Sequence, residues 1–323
     1  MKRKLMMKGA KKLVRELAGV QSGENVLIVT DTNKIGIAEV VASDARERGA
    51  EVVMATMTPR EIHGQDPPKT ISEAMKKADV IFAPTTFSIS ATVAFNEACK
   101  NGARGLSMPA WTEEMLFEGG INADFLGIRP MVEKLAGHLR EATTATVTSS
   151  AGTEIRVDLW KGMVEASHGI ARDPGVKMFP PIIEAAAHPA LGSGEGTLVV
   201  DGSIALPELG PIEEPVTLTV KKGRIIKIKG KREAEVFKGI LDGLNDPNVY
   251  ILSEVAVGLN PECRLSGNFA EDEGVYGTIH FGFGWTHTLE SSHRSKAHID
   301  VVILNPTLSL DSKVVLKDGE LTL

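Results

Sequence analysis

Between residues 25 and 108 the chain sets short, unbroken apolar runs against stretches of helical periodicity. The runs are Asn25 to Thr30 (NVLIVT), Glu51 to Ala55 (EVVMA), Val80 to Ala83 (VIFA) and Arg104 to Met108; between them lie Ile37 to Gly49, Thr70 to Ala78 and Ser90 to Asn101. An apolar run without polar alternation suits a strand covered on both faces, as in a parallel sheet. Two of the helical stretches stop at a glycine, Gly49 and Gly102, the residue that best tolerates the left-handed turn ending a helix. Strands alternating with helices leave few topologies open: a doubly wound parallel sheet with right-handed crossovers.

After a further helical segment, Arg129 to Glu141, the texture changes. Thr143 to Thr148, Glu154 to Leu159, Thr197 to Val200, Val216 to Lys221 and Arg224 to Ile228 read as short strands, separated by Ala151-Gly152, Asp201-Gly202 and Lys222-Gly223 turns. Val220 to Ile228 has the form of a hairpin, and Glu233 to Leu244 that of a helix. The expected fold class is therefore α/β. It has an N-terminal, Rossmann-like, doubly wound parallel-sheet domain over residues 1–142 and a C-terminal mixed, mostly antiparallel α+β metal-binding domain over residues 143–323.

Composition narrows the function. The net charge of −6 over 323 residues gives no basic field for phosphate backbones, so no nucleic-acid partner is expected. Cys99 and Cys263 are too few for a disulfide framework and suit a reducing, cytoplasmic setting. Met1 to Val20 is basic, but Lys11, Lys12, Arg15 and Glu16 interrupt its apolar residues, and no stretch reaches membrane-spanning length. The turn after the first strand, Asp31 to Gly36, carries neither a G-x-G-x-x-G nor a Walker lysine motif, so no nucleotide cofactor is expected. No G-x-S-x-G elbow occurs; Gly192-Ser193-Gly194 reads as a turn, and Cys99, inside a helix, as a buried thiol.

Four of the eight histidines, His280, His287, His293 and His298, fall within nineteen residues. His298-Ile299-Asp300 opens the β-branched run Ala297 to Leu304, and on a strand positions i and i+2 share a face. An imidazole and a carboxylate thus project together, as a transition ion requires. Glu254 in YILSEVAVG and Glu184 in PPIIEAAA are lone acids in apolar surroundings; each is paired, neutralised or metal-bound, or else faces solvent on an edge strand. Gly277 before His280, and Gly282 and Gly284 after it, let backbone approach a ligand closely. His287 and His293 fall in a loop with Thr286, Ser291 and Ser292. His63, His138 and His168 read as surface or structural, and His188 lies near Glu184 on a Pro-containing loop.

Several blocks carry a family resemblance: Asn101-Gly102-Ala103-Arg104 through Ser107-Met108-Pro109, Thr112 to Met115, Ser150 to Thr153, Gly196 to Gly202, Gly258-Leu259-Asn260-Pro261, Gly277-Thr278-Ile279-His280 and His298-Ile299-Asp300. From about residue 10 to its end the chain resembles the clan of M29 aminopeptidases (aminopeptidases T and S) and 2,5-dihydroxypyridine 5,6-dioxygenase. On the peptidase pattern the resemblance implies a dimetal site in which Glu184, Glu254, His280, His298 and Asp300 are ligands and Glu254 bridges the metals or acts as base. The peptidases carry a catalytic tyrosine seven residues after the histidine of the G-T-I-H block, and here that position is His287. The dioxygenases instead place two histidines and an aspartate on one ferrous ion, the first histidine near the G-L-N-P block, where this chain has Glu254.

Three readings follow. In the first, an aminopeptidase-type hydrolase, zinc, cobalt or manganese activates a water that attacks an amide of a short peptide; Glu254 carries the proton, and His287 takes the tyrosine's place at the oxyanion. In the second, a mononuclear iron(II) dioxygenase cleaves a hydroxylated aromatic small molecule. In the third, a closed metal shell stabilises a non-catalytic binding protein. The resemblance also implies a homodimer.

Overall fold

The computed structural model describes residues 1–284 and 295–323. The chain divides into two compact units: Met1–Leu126 with His168–Pro181, and Gly127–Ser167 with Ile182–Leu323. The sequence placed the change of texture at residue 143; the second unit instead begins inside the helix preceding it, and a later segment of fourteen or so residues returns to the first.

The chain opens with α1 (Lys2–Lys11), which runs into a π-helical turn over Lys12–Leu17. There follow β1 (Asn25–Asp31), α2 (Ile35–Glu47), β2 (Glu51–Met57), α3 (Lys69–Met75), β3 (Val80–Thr85), α4 (Val93–Lys100), β4 (Arg104–Pro109) and α5 (Phe125–Glu141). β5 (Thr144–Thr148) and β6 (Glu154–Ser167) belong to the second unit, and the two-residue β7 (Lys177–Met178) to the first.

The first unit is a five-stranded parallel sheet in the order β2-β1-β3-β4-β7. β3 and β4 are buried throughout and β1 all but its first residue, which is why they read as continuous apolar runs; β2, at the edge, is mostly half-exposed. On one face Leu27, Val29, Ile81 and Ala83 pack with Ile71, Met75 and Phe95. Gly105 has to be small, because a Cβ there would lie 2.7 Å from the Phe95 ring. Arg104, buried at the start of β4, donates to Ala18 O and to both Glu24 carboxylate oxygens at 2.8–2.9 Å, so its charge is not left uncompensated.

The second unit continues with β8 (Glu184–Pro189), β9 (Glu195–Val200), β10 (Ser203–Ile204), β11 (Gly210–Pro211), β12 (Val216–Lys221), β13 (Arg224–Lys229), α6 (Arg232–Gly243), β14 (Leu252–Gly258), α7 (Phe269–Asp272), β15 (Ile279–Gly284), β16 (His298–Ile303), β17 (Thr307–Leu310), β18 (Lys313–Lys317) and β19 (Glu320–Leu321). Its sheet runs β11-β10-β16-β15-β14-β8-β6-β5-β17-β18-β19, with β9, β12 and β13 branching from β6. The pairings within it are antiparallel.

β6 outruns the expected end at Leu159. Its register shifts between Leu159 and Val164, and past that irregularity it pairs with β8 as far as Ser167. A bulge that keeps the strand going with the same partner, but out of step, looks in sequence like a stop. Among the described residues no helix is long and apolar enough to cross a membrane.

Candidate metal centre

The centre of this sheet, β6-β8-β14-β15-β16, gathers residues far apart in the chain onto one face. The registers pair Ser167 with Glu184 and Glu184 with Gly258; Glu165, Ala186, Ala256, His280 and Val302 form the next row; then Glu254, Gly282 and Asp300; then Gly284 and His298. Because alternate residues share a face, Glu165, Glu184, His188, Glu254, His280, His298 and Asp300 all project to one side. β14 has an irregularity between Leu252 and Glu254, immediately before the acid, and bulges are frequent beside functional sites. Ser253, in the bulge, donates its hydroxyl to Gly282 O at 3.1 Å.

The acids and imidazoles meet in two groups. In the first, Glu184, Glu273 and His280 bring one ligand atom each within 4.8 Å of the others, and His280 Nε2 is 3.4 Å from Glu184 Oε2. In the second, His298 Nε2 lies 3.2 Å from Asp300 Oδ1 and 3.4 Å from Glu254 Oε2. A hydrogen bond between Glu273 and Asp300 joins the two.

Of the residues singled out in the sequence, Glu184, Glu254, His280, His298 and Asp300 are thus brought together. Glu184 is no edge-strand residue: β8 is paired on both sides and the side chain is buried. His188 is likewise in β8 rather than in a loop, and is buried. His287 and His293 fall within residues 285–294, outside the described residues.

Glu273 was not anticipated. It ends the acidic triplet Glu271-Asp272-Glu273, which reads as a solvated turn. The structure commits its two companions elsewhere: Asp272 accepts from Ser203, Ser266 and Gly267, and Glu271 accepts from Arg264 N. The clue available in sequence was position, an acid seven residues before His280 on the approach to β15.

The charges do not balance without help. Burial, and then the fields of Glu254, Glu165 and Asp300, push the Glu184 carboxyl well above its ordinary range; burial and the neighbouring carboxylates do the same to Glu273. Burial also works to raise Asp300, but His298 and His280 overcome it and hold that carboxyl below its ordinary range. Glu184 Oε2, His280 Nδ1 and Asp300 Oδ1 are buried without a hydrogen-bond partner, where buried polar atoms normally have one. Imidazole nitrogens and carboxylate oxygens converging with unused lone pairs are the donor chemistry of a divalent transition ion, and the residues fit one.

Beside these groups His188 binds Ser253 O through Nδ1 at 3.0 Å and Glu165 Oε1 through Nε2 at 3.3 Å. Burial alone would lower its pKa, but the Glu165 hydrogen bond and the field of Glu254 outweigh it, and the net shift is upward from 6.5. The raised value means that this interaction stabilises the fold fully below pH 6.5 and is lost as pH rises through the folded-state pKa. In the metal-free protein, histidine NMR titration is expected to find His188 protonating above 6.5, and Glu165→Gln to bring it down. An unchanged titration in Glu165→Gln would refute the assigned pairing.

Known proteins resemble the chain in sequence and in fold. The profile of the NicX family, 2,5-dihydroxypyridine 5,6-dioxygenase, matches residues 7–323. A 2,5-dihydroxypyridine 5,6-dioxygenase of Pseudomonas putida is 30% identical over 192 residues, 56% of this chain and 55% of that protein, so the match spans little more than half of the relative. The solved structure of a 2,5-dihydroxypyridine dioxygenase from Pseudomonas putida superimposes with a TM-score of 0.87 at 22% identity, covering 98% of this chain and 96% of the other. Wild-type AmpT from Thermus thermophilus superimposes with a TM-score of 0.69 at 17% identity, covering 99% of each. Both groups named by the motif resemblance are therefore structural neighbours, and the two likenesses establish the shared α/β fold. The sequence matches separate them: they favour the dioxygenase over the hydrolase expected first. With its profile matched over nearly the whole length, the chain belongs to the 2,5-dihydroxypyridine 5,6-dioxygenase family.

Proposed function

We propose that the protein is an iron(II)-dependent, ring-cleaving dioxygenase acting on a dihydroxypyridine or a closely related hydroxylated heteroaromatic. The observation that carries the reading is the placing of His280, His298 and Asp300 on one sheet face, with His298 Nε2 3.2 Å from Asp300 Oδ1, in a chain of this family. Two imidazoles and one carboxylate with positions left open are the donor set of non-haem iron(II) oxygenases. These three residues would hold the ion, with Glu254 beside His298. Bound there, ferrous iron supplies the one-electron chemistry that lets dioxygen react with an electron-rich ring.

The chain's own residues do the rest. Ser253 O accepts from His188 Nδ1–H, which fixes the ring and turns Nε2 toward Glu165. With Nδ1–H committed to Ser253 O, Nε2 is the nitrogen that gains or releases a proton, on the same face as the donor set, where it can exchange with a substrate hydroxyl. Glu273, the carboxyl of the pair whose pKa is raised, would donate to Asp300 when protonated and orient its carboxylate, as outer-shell partners of metal ligands do.

Anaerobic purification, loading with ferrous iron and addition of 2,5-dihydroxypyridine under air tests the reading. Consumption of one dioxygen per ring opened is expected. Iron-loaded protein that takes up no oxygen, but releases amino acids from aminoacyl substrates once loaded with zinc, cobalt or manganese, would instead establish the hydrolase. AmpT as a structural neighbour, and the carboxylate-rich group around Glu184, favour that second reading.

A further inference from the structure

Gly282 occupies the middle of the donor face, opposite Glu254 on one side and Asp300 on the other. Its backbone does not call for glycine, since its φ is not in the left-handed region, unlike that of Gly284 two residues on. What calls for glycine is space. A Cβ at 282 would stand 2.6 Å from His298 Cε1, 2.9 Å from His298 Nε2 and 2.8 Å from Glu254 Cβ, all closer than carbon and nitrogen atoms pack. His298 lies opposite Gly284, one row away, so its ring leans across the missing side chain. That lean brings Nε2 to 3.2 Å from Asp300 and 3.4 Å from Glu254.

We infer that Gly282 is a positioning residue: the absence of its side chain forms the slot in which the His298 imidazole lies, and so sets the convergence of His298, Glu254 and Asp300 on the ion. The inference rests on the metal-centre reading above, and adds to it a residue with no donor atom of its own. The His298 side chain is 30% exposed, so a methyl group at 282 can push the ring outward without dismantling the sheet. The consequence is a folded protein whose donor set no longer converges.

The test uses the full chain, with cobalt(II) as a spectroscopic probe beside ferrous iron. Gly282→Ala is expected to weaken metal affinity about 10–100-fold, the range seen when the support of a metal ligand is lost, and to change the visible absorption of the bound cobalt. Gly105→Ala, which meets the Phe95 ring in the other unit, is the control: it should lower the melting temperature while leaving affinity and spectrum unchanged. Coupling supplies the decisive measurement. In a His298→Ala background, Gly282→Ala should cost much less affinity than it does alone, because the ring is gone and only the Glu254 Cβ contact remains. Wild-type affinity and spectrum in Gly282→Ala, or fully additive losses in the double variant, overturn the inference. If Gly282→Ala alone is recovered unfolded, the double variant should regain stability, since the two His298 contacts are relieved; a double variant no more stable than the single one also overturns the inference. Wild-type protein that binds neither cobalt nor iron would overturn the functional reading itself, a result distinct from all of these.

Discussion

His298→Ala is expected to lose ring cleavage by about three orders of magnitude in kcat/KM or more, together with stoichiometric iron, while keeping its fold. A metal ion contributes several kcal/mol to such reactions, and each 1.4 kcal/mol or so is a factor of ten. The fold should survive because His298 begins β16 with its ring partly in solvent, so its removal leaves no buried cavity. Glu184→Gln sharpens the result. If one ion sits on His280, His298 and Asp300, Glu184 supports His280 at 3.4 Å without carrying the chemistry, and the loss should stay within about tenfold to a hundredfold. If two ions work together, as a hydrolase requires, Glu184→Gln should be as damaging as His298→Ala. Steady-state oxygen uptake with iron quantified per chain distinguishes the two, and a His298→Ala variant with full iron and full activity would refute the proposed centre.

Removing the metal is expected to destabilise the protein, and more at neutral than at mildly acidic pH. Glu184 and Glu273 have folded-state values raised above 4.5, so in the metal-free protein they take up protons on folding. The stability they allow is complete below about pH 4.5 and is lost as pH rises through their folded values. Asp300 works in the opposite sense: its value is lowered from 3.8, and the stability it contributes is present above that pH and lost only as pH falls through its folded value. Between pH 5 and 7.5 the two glutamates and His188 all favour the lower pH, and metal-free protein should melt at a higher temperature at pH 5. A divalent ion reverses the order by neutralising the same carboxylates. At a hundredfold excess over its Kd it adds about 3 kcal/mol, or roughly 5–10 °C at pH 7.5. Melting curves with and without chelator at the two pH values measure both effects. Identical melting temperatures in all four conditions would contradict the charge arrangement described.

Much of the first unit could be read from its residues, because β1, β3 and β4 are covered on both faces and leave short unbroken apolar runs between helical stretches. The ends were less clear: β1 was expected to stop at Thr30, yet Asp31 is fully buried, its carboxylate accepting from Asn33 N, Thr86 N and the Thr86 hydroxyl. That pairing depends on a residue 55 positions away. The second unit hid more. His298 and Asp300 were legible as a pair because strand periodicity is local. Glu184 was ambiguous because its burial is supplied by β6 and β14, whose pairing no neighbouring residue announces. Glu273 was invisible for a similar reason: one acid in a run of three reads as solvated until the other two are seen to be engaged in turns.

The donor face also has a bearing on how the protein acquires its ion. Glu184, Glu254, Glu273, His280 and Asp300 sit on or beside strands that follow one another in space only after β8 has paired with β14, some seventy residues later in the chain, and β14 with β15. Contacts between such distant segments form late, since each must overcome the entropy of closing a long loop. A nascent or unfolded chain therefore presents separated ligands, with only His298 and Asp300 neighbours in sequence, rather than a chelating cluster. Loading is thus a property of the finished sheet, and the ion then adds its stabilisation to a fold already formed.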